Sequence, residues 1–191
     1  MRNMGYRAIA GGDEAGRGPW AGPVFAAFVV LPEKYDLSGL NDSKKLSRQQ
    51  RQRLFTEITE KAIDYGISSA EAHEIDEMNI LEATRLAFYR AFEKLKKNPD
   101  FLLLDFIKLP KITVPSLSLV KGDSLSNSIA AASILAKESR DVFMENLDNV
   151  YPGYDFKSHK GYGTPSHIKA LANIGVSPVH RKSFKPVKKL L

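Results

Sequence analysis

Strand-like and helical apolar spacings alternate along the chain. Residues 6–10 (Tyr-Arg-Ala-Ile-Ala) and 24–31 (Val-Phe-Ala-Ala-Phe-Val-Val-Leu) read as two strands, separated by a glycine- and proline-rich stretch. Leu54, Phe55, Ile58 and Ala62 then recur at helical spacing with basic residues opposite, which predicts a helix over residues 47–62. A short strand is expected over residues 64–68. Ile80, Leu81, Ala83, Leu86, Ala87, Tyr89, Phe92 and Leu95 mark one long amphipathic helix over residues 78–97, closed by Asn98-Pro99. The next run, residues 101–104, is wholly apolar between a proline and Asp105, the pattern of a buried strand flanked by helices. A second apolar stretch, residues 114–120, leads into Lys121-Gly122-Asp123-Ser124. After it Leu125, Ile129, Ala132, Ala136, Phe143 and Leu147 line one face of a further helix. The fold class expected is α/β. No repeat, low-complexity tract or Gly/Ser-rich linker interrupts it, so one domain over residues 1–191, with a short C-terminal helical segment, is expected.

Acidic residues punctuate this pattern. Asp13-Glu14 alone fits either a charged hairpin turn or a metal-dependent phosphodiesterase site, since neighbours on a strand point to opposite faces. The following Gly16-Arg17-Gly18 favours the second reading. Glycine lets backbone amides approach a ligand, and the arginine fork matches phosphate. Asp105 follows a strand-like run, and Asp123 stands at the start of a helix, where by itself it fits a capping or dipole-complementing acid. Taken as a set, the acids fall at element ends that converge on one crevice in an open α/β sheet.

Composition narrows the chemistry. With 191 residues, 43% of them hydrophobic, the chain can bury a full core, and its net charge of +6 favours a polyanionic partner. There is no cysteine, which excludes disulfides, thiolate metal sites and a cysteine nucleophile. Any metal must take oxygen or histidine ligands. His167 and His180 have no metal-like spacing with each other or with His159, so zinc is not expected, and His73 reads as a surface residue. No apolar run approaches the roughly 20 residues that span a bilayer, and no basic-then-apolar leader opens the sequence, so a soluble cytoplasmic protein is expected. Arg48, Arg51 and Arg53 read as a solvated helix face, whereas Ser43 and Lys44 are better phosphate ligands. Lys121, Ser124 and Asn127 fit both helix capping and phosphate contact. Trp20 is expected to cover the glycine loop, and Tyr162, flanked by Gly161 and Gly163, to offer its ring for stacking on a nucleotide.

Several stretches together resemble bacterial ribonuclease HII, the type 2 ribonuclease H. They are Asp13-Glu14-Ala15-Gly16-Arg17-Gly18-Pro19 with Ala21-Gly22-Pro23; Asn41-Asp42-Ser43-Lys44-Lys45-Leu46-Ser47; Lys121-Gly122-Asp123 running into Ile129-Ala130-Ala131-Ala132-Ser133-Ile134-Leu135-Ala136-Lys137 with Arg140-Asp141; His159-Lys160-Gly161-Tyr162-Gly163-Thr164; and His180-Arg181-Lys182-Ser183-Phe184. The resemblance covers nearly the whole chain. It implies a ribonuclease H-like mixed β-sheet flanked by α-helices, with Asp13, Glu14, Asp105 and Asp123 as metal-binding catalytic carboxylates. It further implies that Gly16-Arg17-Gly18 grips the junction around a ribonucleotide while Tyr162 stacks near its sugar.

The expected activity is endonucleolytic hydrolysis of the RNA strand of RNA–DNA hybrids and incision of DNA 5′ of embedded ribonucleotides. A monomer is expected to carry it out. An all-oxygen ligand set suits Mg²⁺ or Mn²⁺, and two such ions would activate water on one side of a phosphodiester and stabilise the leaving 3′ oxygen on the other. A noncatalytic nucleic-acid binder on the same fold is the alternative from another class, but concentrated negative charge would hinder it. A carboxylate nuclease for DNA junctions is a third reading, against which Gly-Arg-Gly and Tyr162 argue. One departure from the family's pattern stands out: Phe106 follows Asp105 where glycine is usual.

Overall fold

A glycine in the first strand lets a long helix lie directly on the sheet. In the structure, a computed structural model that describes residues 1–37, 39–40 and 46–191, a Cβ at Gly11 would fall 2.1 Å from the carbonyl carbon of Ser128. No other residue fits that approach. The strands are β1 (Ile9–Ala15), β2 (Val24–Val30), β3 (Asp64–Ala70), β4 (Phe101–Asp105) and β5 (Ser116–Leu119). They form one sheet in the order β3-β2-β1-β4-β5, with the first three antiparallel and β4 and β5 added in parallel. The helices are α1 (Arg48–Lys61), α2 (Ala72–Met78), α3 (Ile80–Glu93), α4 (Asn127–Val150), α5 (Phe156–His159), α6 (Pro165–Ile174) and α7 (Lys185–Lys188).

Alternation along β2 feeds two cores. Ala26 and Phe28 pack with Leu102 and Leu104 against Ala83, Ala87 and Phe88 of α3. Ala27 and Val29 point to the other face, against Leu54 and Ile58 of α1 and Ala131 and Leu135 of α4. A third cluster, with Met144, Tyr154, Phe156 and Leu171, joins the far end of α4 to the C-terminal helices. The result is the mixed α/β sheet, flanked by helices, that the sequence led us to expect. Among the described residues no helix is long and apolar enough to cross a membrane.

Three boundaries differ from the sequence reading. The first strand runs on through the two glycines to Ala15, so Asp13 and Glu14 lie within β1 rather than beyond it. The helix expected over residues 78–97 is α3 alone, Ile80–Glu93: Asn79, with φ 72°, ends the short helix α2 before it, and its side chain accepts hydrogen bonds from the Leu81 and Glu82 amides to start α3. Beyond α3, the Lys96 and Lys97 amides bond to Asp64 Oδ2 at 2.7 and 2.9 Å. The helix after Asp123 begins at Asn127, because residues 122–124 form a 3₁₀ turn.

The basic face of α1 also needs correction. Arg48 and Arg53 are exposed, but Arg51 is largely buried between helices, its Nε 2.6 Å from Glu138 and its Nη2 3.7 Å from Asp141. It ties α1 to α4.

Candidate active site

Parallel register sets two aspartates side by side. Gly12 of β1 pairs with Leu104 of β4, so the next residue on each strand is an acid, Asp13 or Asp105. Alternation turns both toward the face covered by α4. Asp13 is buried, accepting hydrogen bonds from the Glu14 amide at 2.7 Å and from the Ser133 side chain on α4. Asp105 Oδ1 accepts from the Gly122 amide at 2.8 Å, which ties the end of β4 to the turn carrying Asp123. Asp123 is buried in that turn, and the N-cap position of α4 belongs to Ser126, so the capping reading of Asp123 is set aside. Glu14 meets Arg17 Nη1 at 3.2 Å.

The electrostatics of this corner favour a cation. Burial first, then the charges of Glu14 and Asp105, push the Asp13 carboxyl well above the usual carboxylate range. An oxygen-only donor set with mutually repelling acids is the chemistry that hard divalent ions relieve. No three histidine or acidic side chains among the described residues are arranged to hold a metal ion by themselves. Water and phosphate oxygens commonly complete the shell of such ions.

Beside the acids lies the glycine loop, and two buried arginines hold it from beneath. A Cβ at Gly16 (φ 95°) would collide with Arg140 Nε at 2.0 Å, so glycine is needed both for the turn and for the packing. Arg181 donates to the carbonyls of Gly16, Arg17 and Gly22 at 2.6, 2.9 and 2.9 Å. Arg140 donates to those of Pro23, Ala21 and Lys160 at 2.9, 3.2 and 3.0 Å. Burial lowers Arg140 to about 10, and burial followed by repulsion from Arg140 lowers Arg181 to about 9. Both remain cations at neutral pH. Their carbonyl partners are held inward, and two positive charges lie under the loop.

Tyr162 stands at the mouth of this loop, 47% exposed, and a Cβ at Gly18 would lie 3.7 Å from its Cε1. The structure thus brings Gly16, Arg17, Gly18 and Tyr162 together. Trp20 is placed differently from the sequence reading: its indole covers Gly163, where a Cβ would fall 2.1 Å from the ring, rather than the Gly16–Gly18 turn. Lys121 is exposed with φ 56°. Ser124 Oγ donates to the Lys121 carbonyl at 2.8 Å and Asn127 Nδ2 to the Tyr35 hydroxyl, so neither side chain caps α4. Ser43 and Lys44 lie outside the described residues.

Phe106 carries strain next to the acids. It has φ 42°, a region that bulky residues rarely adopt, and its side chain is 72% exposed. Phe106→Gly should therefore raise stability. Left-handed strain of about 1–2 kcal/mol outweighs the roughly 0.5–1 kcal/mol entropic cost of glycine. Denaturant melts read the difference, and a variant of equal or lower stability would show the position to be unstrained.

Sequence reasoning gave the arginines no role and set the histidines aside as metal ligands, yet His159, His167 and His180 are all buried in one cluster. His159 stacks on His167 with centroids 4.4 Å apart, and the His167 and His180 Nε2 atoms are 2.9 Å apart. Burial lowers His167, and burial followed by the neighbouring His167 lowers His180 to about 4 from 6.5. A depressed histidine contributes stability that is fully present above its unfolded value of 6.5 and is lost as pH falls toward 4. Wild type should thus lose about 2–3 kcal/mol more than His180→Gln between neutral pH and pH about 4.5. Denaturant melts of both proteins at the two pH values measure it. Parallel losses would remove His180 from the acid response.

Comparison with known proteins agrees with this geometry. The family model described as Ribonuclease HII matches residues 10–187. The chain is 57% identical over 187 residues to a ribonuclease HII of Desulfitobacterium hafniense strain Y51, covering 98% of this chain and 72% of that one. It is 55% identical over 182 residues to the ribonuclease HII of Clostridioides difficile strain 630, covering 95% and 71%. Among solved structures it is similar to the ribonuclease H2 of Pyrococcus horikoshii OT3, with TM-score 0.78 and 29% identity over 95% of this chain and 96% of the other. It shares the fold of the Bst ribonuclease HIII solved in complex with Mn²⁺, with TM-score 0.75 and 20% identity over 99% and 70%. Family match, relatives and fold coincide, and the chain belongs to the ribonuclease HII family as a hydrolase of the ribonuclease H type.

Proposed function

We propose that the chain is a single-domain, monomeric endonuclease that hydrolyses the RNA strand of RNA–DNA hybrids and incises DNA 5′ of an embedded ribonucleotide, leaving 3′-hydroxyl and 5′-phosphate ends. The observation that carries this reading is the register that sets Asp13 beside Asp105, on a strand that runs straight into the Gly16-Arg17-Gly18 loop under Tyr162. Acids for a cation and groups for a ribonucleotide thus share one mouth, built from one chain.

Asp13, Glu14, Asp105 and Asp123 would hold Mn²⁺ or Mg²⁺ in a two-metal site. Bound there, the cations would supply an activated water and charge stabilisation at the leaving 3′ oxygen. Everything else comes from the protein. Ser133 and the Glu14 and Gly122 amides orient the Asp13 and Asp105 carboxylates. Arg17, now on Glu14, is within reach of a phosphate at the loop and would exchange one anion for another. Gly16 to Gly18 present backbone groups to the 2′-hydroxyl, the feature separating RNA from DNA, while the Tyr162 ring stacks on the nucleotide. Lys121, Ser124 and Asn127, exposed around the Asp123 turn, would contact backbone phosphates, as would Ser43 and Lys44.

The deciding experiment uses a labelled DNA duplex carrying one ribonucleotide, incubated with Mn²⁺, with Mg²⁺ or with chelator, and the ends tested by ligase and phosphatase. We expect cation-dependent incision on the 5′ side with a ligatable 3′-hydroxyl. Binding without incision in either cation would instead support a noncatalytic binder.

A further inference from the structure

Hydrogen-bond logic assigns every proton in the histidine cluster. The Ser177 amide donates to His180 Nδ1 at 3.0 Å, so that nitrogen must be the acceptor. The single proton of neutral His180 is therefore on Nε2, which faces His167 Nε2 at 2.9 Å. His167 must accept there, which puts its own proton on Nδ1, 2.9 Å from the Tyr162 carbonyl. One directed chain thus runs from the Ser177 amide through two rings to the backbone of Tyr162. His159, stacked on His167, is fixed in the same way: it accepts from the Gly161 amide at Nδ1 (3.1 Å) and donates from Nε2 to the Tyr154 carbonyl (2.7 Å). With both facing nitrogens engaged to each other and both rings fully buried, the pair offers no vacant ligand atom for a metal.

The segment that starts this chain also holds the other half of the recognition mouth. His180 forms a β-bridge with Ala21, and the next residue, Arg181, grips the carbonyls of Gly16 and Arg17. Both Tyr162 and the glycine loop it overhangs are therefore positioned from residues 180 and 181.

We propose that His180 and His167 are positioning residues for ribonucleotide recognition, a relay of fixed tautomers that holds the Tyr162 backbone so that its ring stays over Gly18. The proposal rests on the reading above in which Tyr162 stacks on the nucleotide. The residues touch neither substrate nor cation, so their effect must pass through Tyr162.

A double-mutant cycle tests that route, with kcat and KM measured separately on the single-ribonucleotide duplex in Mn²⁺. His180→Leu should lower kcat/KM by about 10-fold, mainly through KM, and should cost nothing further in a Tyr162→Ala background, because residues acting as one unit are not additive. His180→Gln, whose amide can place a donor where Nε2 was, should stay within about 3-fold of wild type. His180→Asn reaches only the Nδ1 position, keeps the Ser177 bond, and should fall with His180→Leu; this pair also serves if His180→Leu does not fold. Additive losses in the cycle, or Gln and Asn variants equally impaired while folded, would overturn the relay. Wild type failing to incise the duplex, or Tyr162→Ala cutting at the wild-type rate, would instead bring down the functional reading on which it stands.

Discussion

Asp13→Asn, Asp105→Asn and Asp123→Asn are each expected to lower turnover by about 10³-fold or more while leaving the fold intact. Each substitution removes a charge that would hold a cation worth several kcal/mol to the transition state, at nearly constant volume, and each 1.36 kcal/mol is tenfold in rate. Folding should survive, because an amide oxygen at position 105 can still accept from the Gly122 amide, and one at position 13 from the Glu14 amide. Near-normal turnover by any folded variant would remove that residue from the catalytic set.

Asp13→Asn should also raise the stability of the metal-free protein at neutral pH. The Asp13 carboxyl is raised in the folded state, chiefly by burial. Its stabilising contribution is therefore present below the unfolded carboxylate pKa and is lost as pH rises through the folded one. At neutral pH the charged form costs stability that the amide does not. Thermal melts in chelator should show the variant above wild type, and added Mn²⁺ should raise wild type more than the variant, since only an intact site gains by mass action. A variant melting below wild type in chelator would mean that neither burial nor its acidic neighbours make the Asp13 carboxylate costly to the fold.

Tyr162→Ala is expected to lower kcat/KM on the single-ribonucleotide duplex by about 10- to 100-fold and to leave Mn²⁺ binding unchanged. Stacking is worth roughly 1–3 kcal/mol per base, and the ring carries no ligand charge. Its exposure means that truncation should cost little stability. Single-turnover rates at subsaturating substrate give the comparison. A wild-type rate would reduce Tyr162 to a packed aromatic and leave ribonucleotide sensing to Gly16 to Gly18.

Much of this protein is legible locally. The apolar runs at β2 and β4 and the face of α4 are recoverable from the sequence because side-chain period depends only on neighbours a few residues away. The acids at 13, 105 and 123, the Gly-Arg-Gly turn and Tyr162 stand out in the sequence as a candidate site. Where the local signal misled, a distant contact or too short a run was the cause. Two glycines looked like the end of β1, yet pairing with β2 carries the strand through them to Ala15, and the α4 backbone at Ser128 leaves room at position 11 for glycine alone. Helix α2 escaped the sequence reading because its seven residues carry apolar side chains only at Ala72, Ile75 and Met78, too short a run to establish a period, and it ends at Asn79 before the spacing from Ile80 to Leu95 begins.

Only tertiary structure could set Asp13 against Asp105, because strand register is a property of two segments whose pairing no local pattern encodes. The buried arginines and histidines were illegible for the same reason. Arg140 reaches a carbonyl 117 residues away and Arg181 one 165 residues away, and a polar side chain reads as a surface group until the fold supplies partners that make its burial possible.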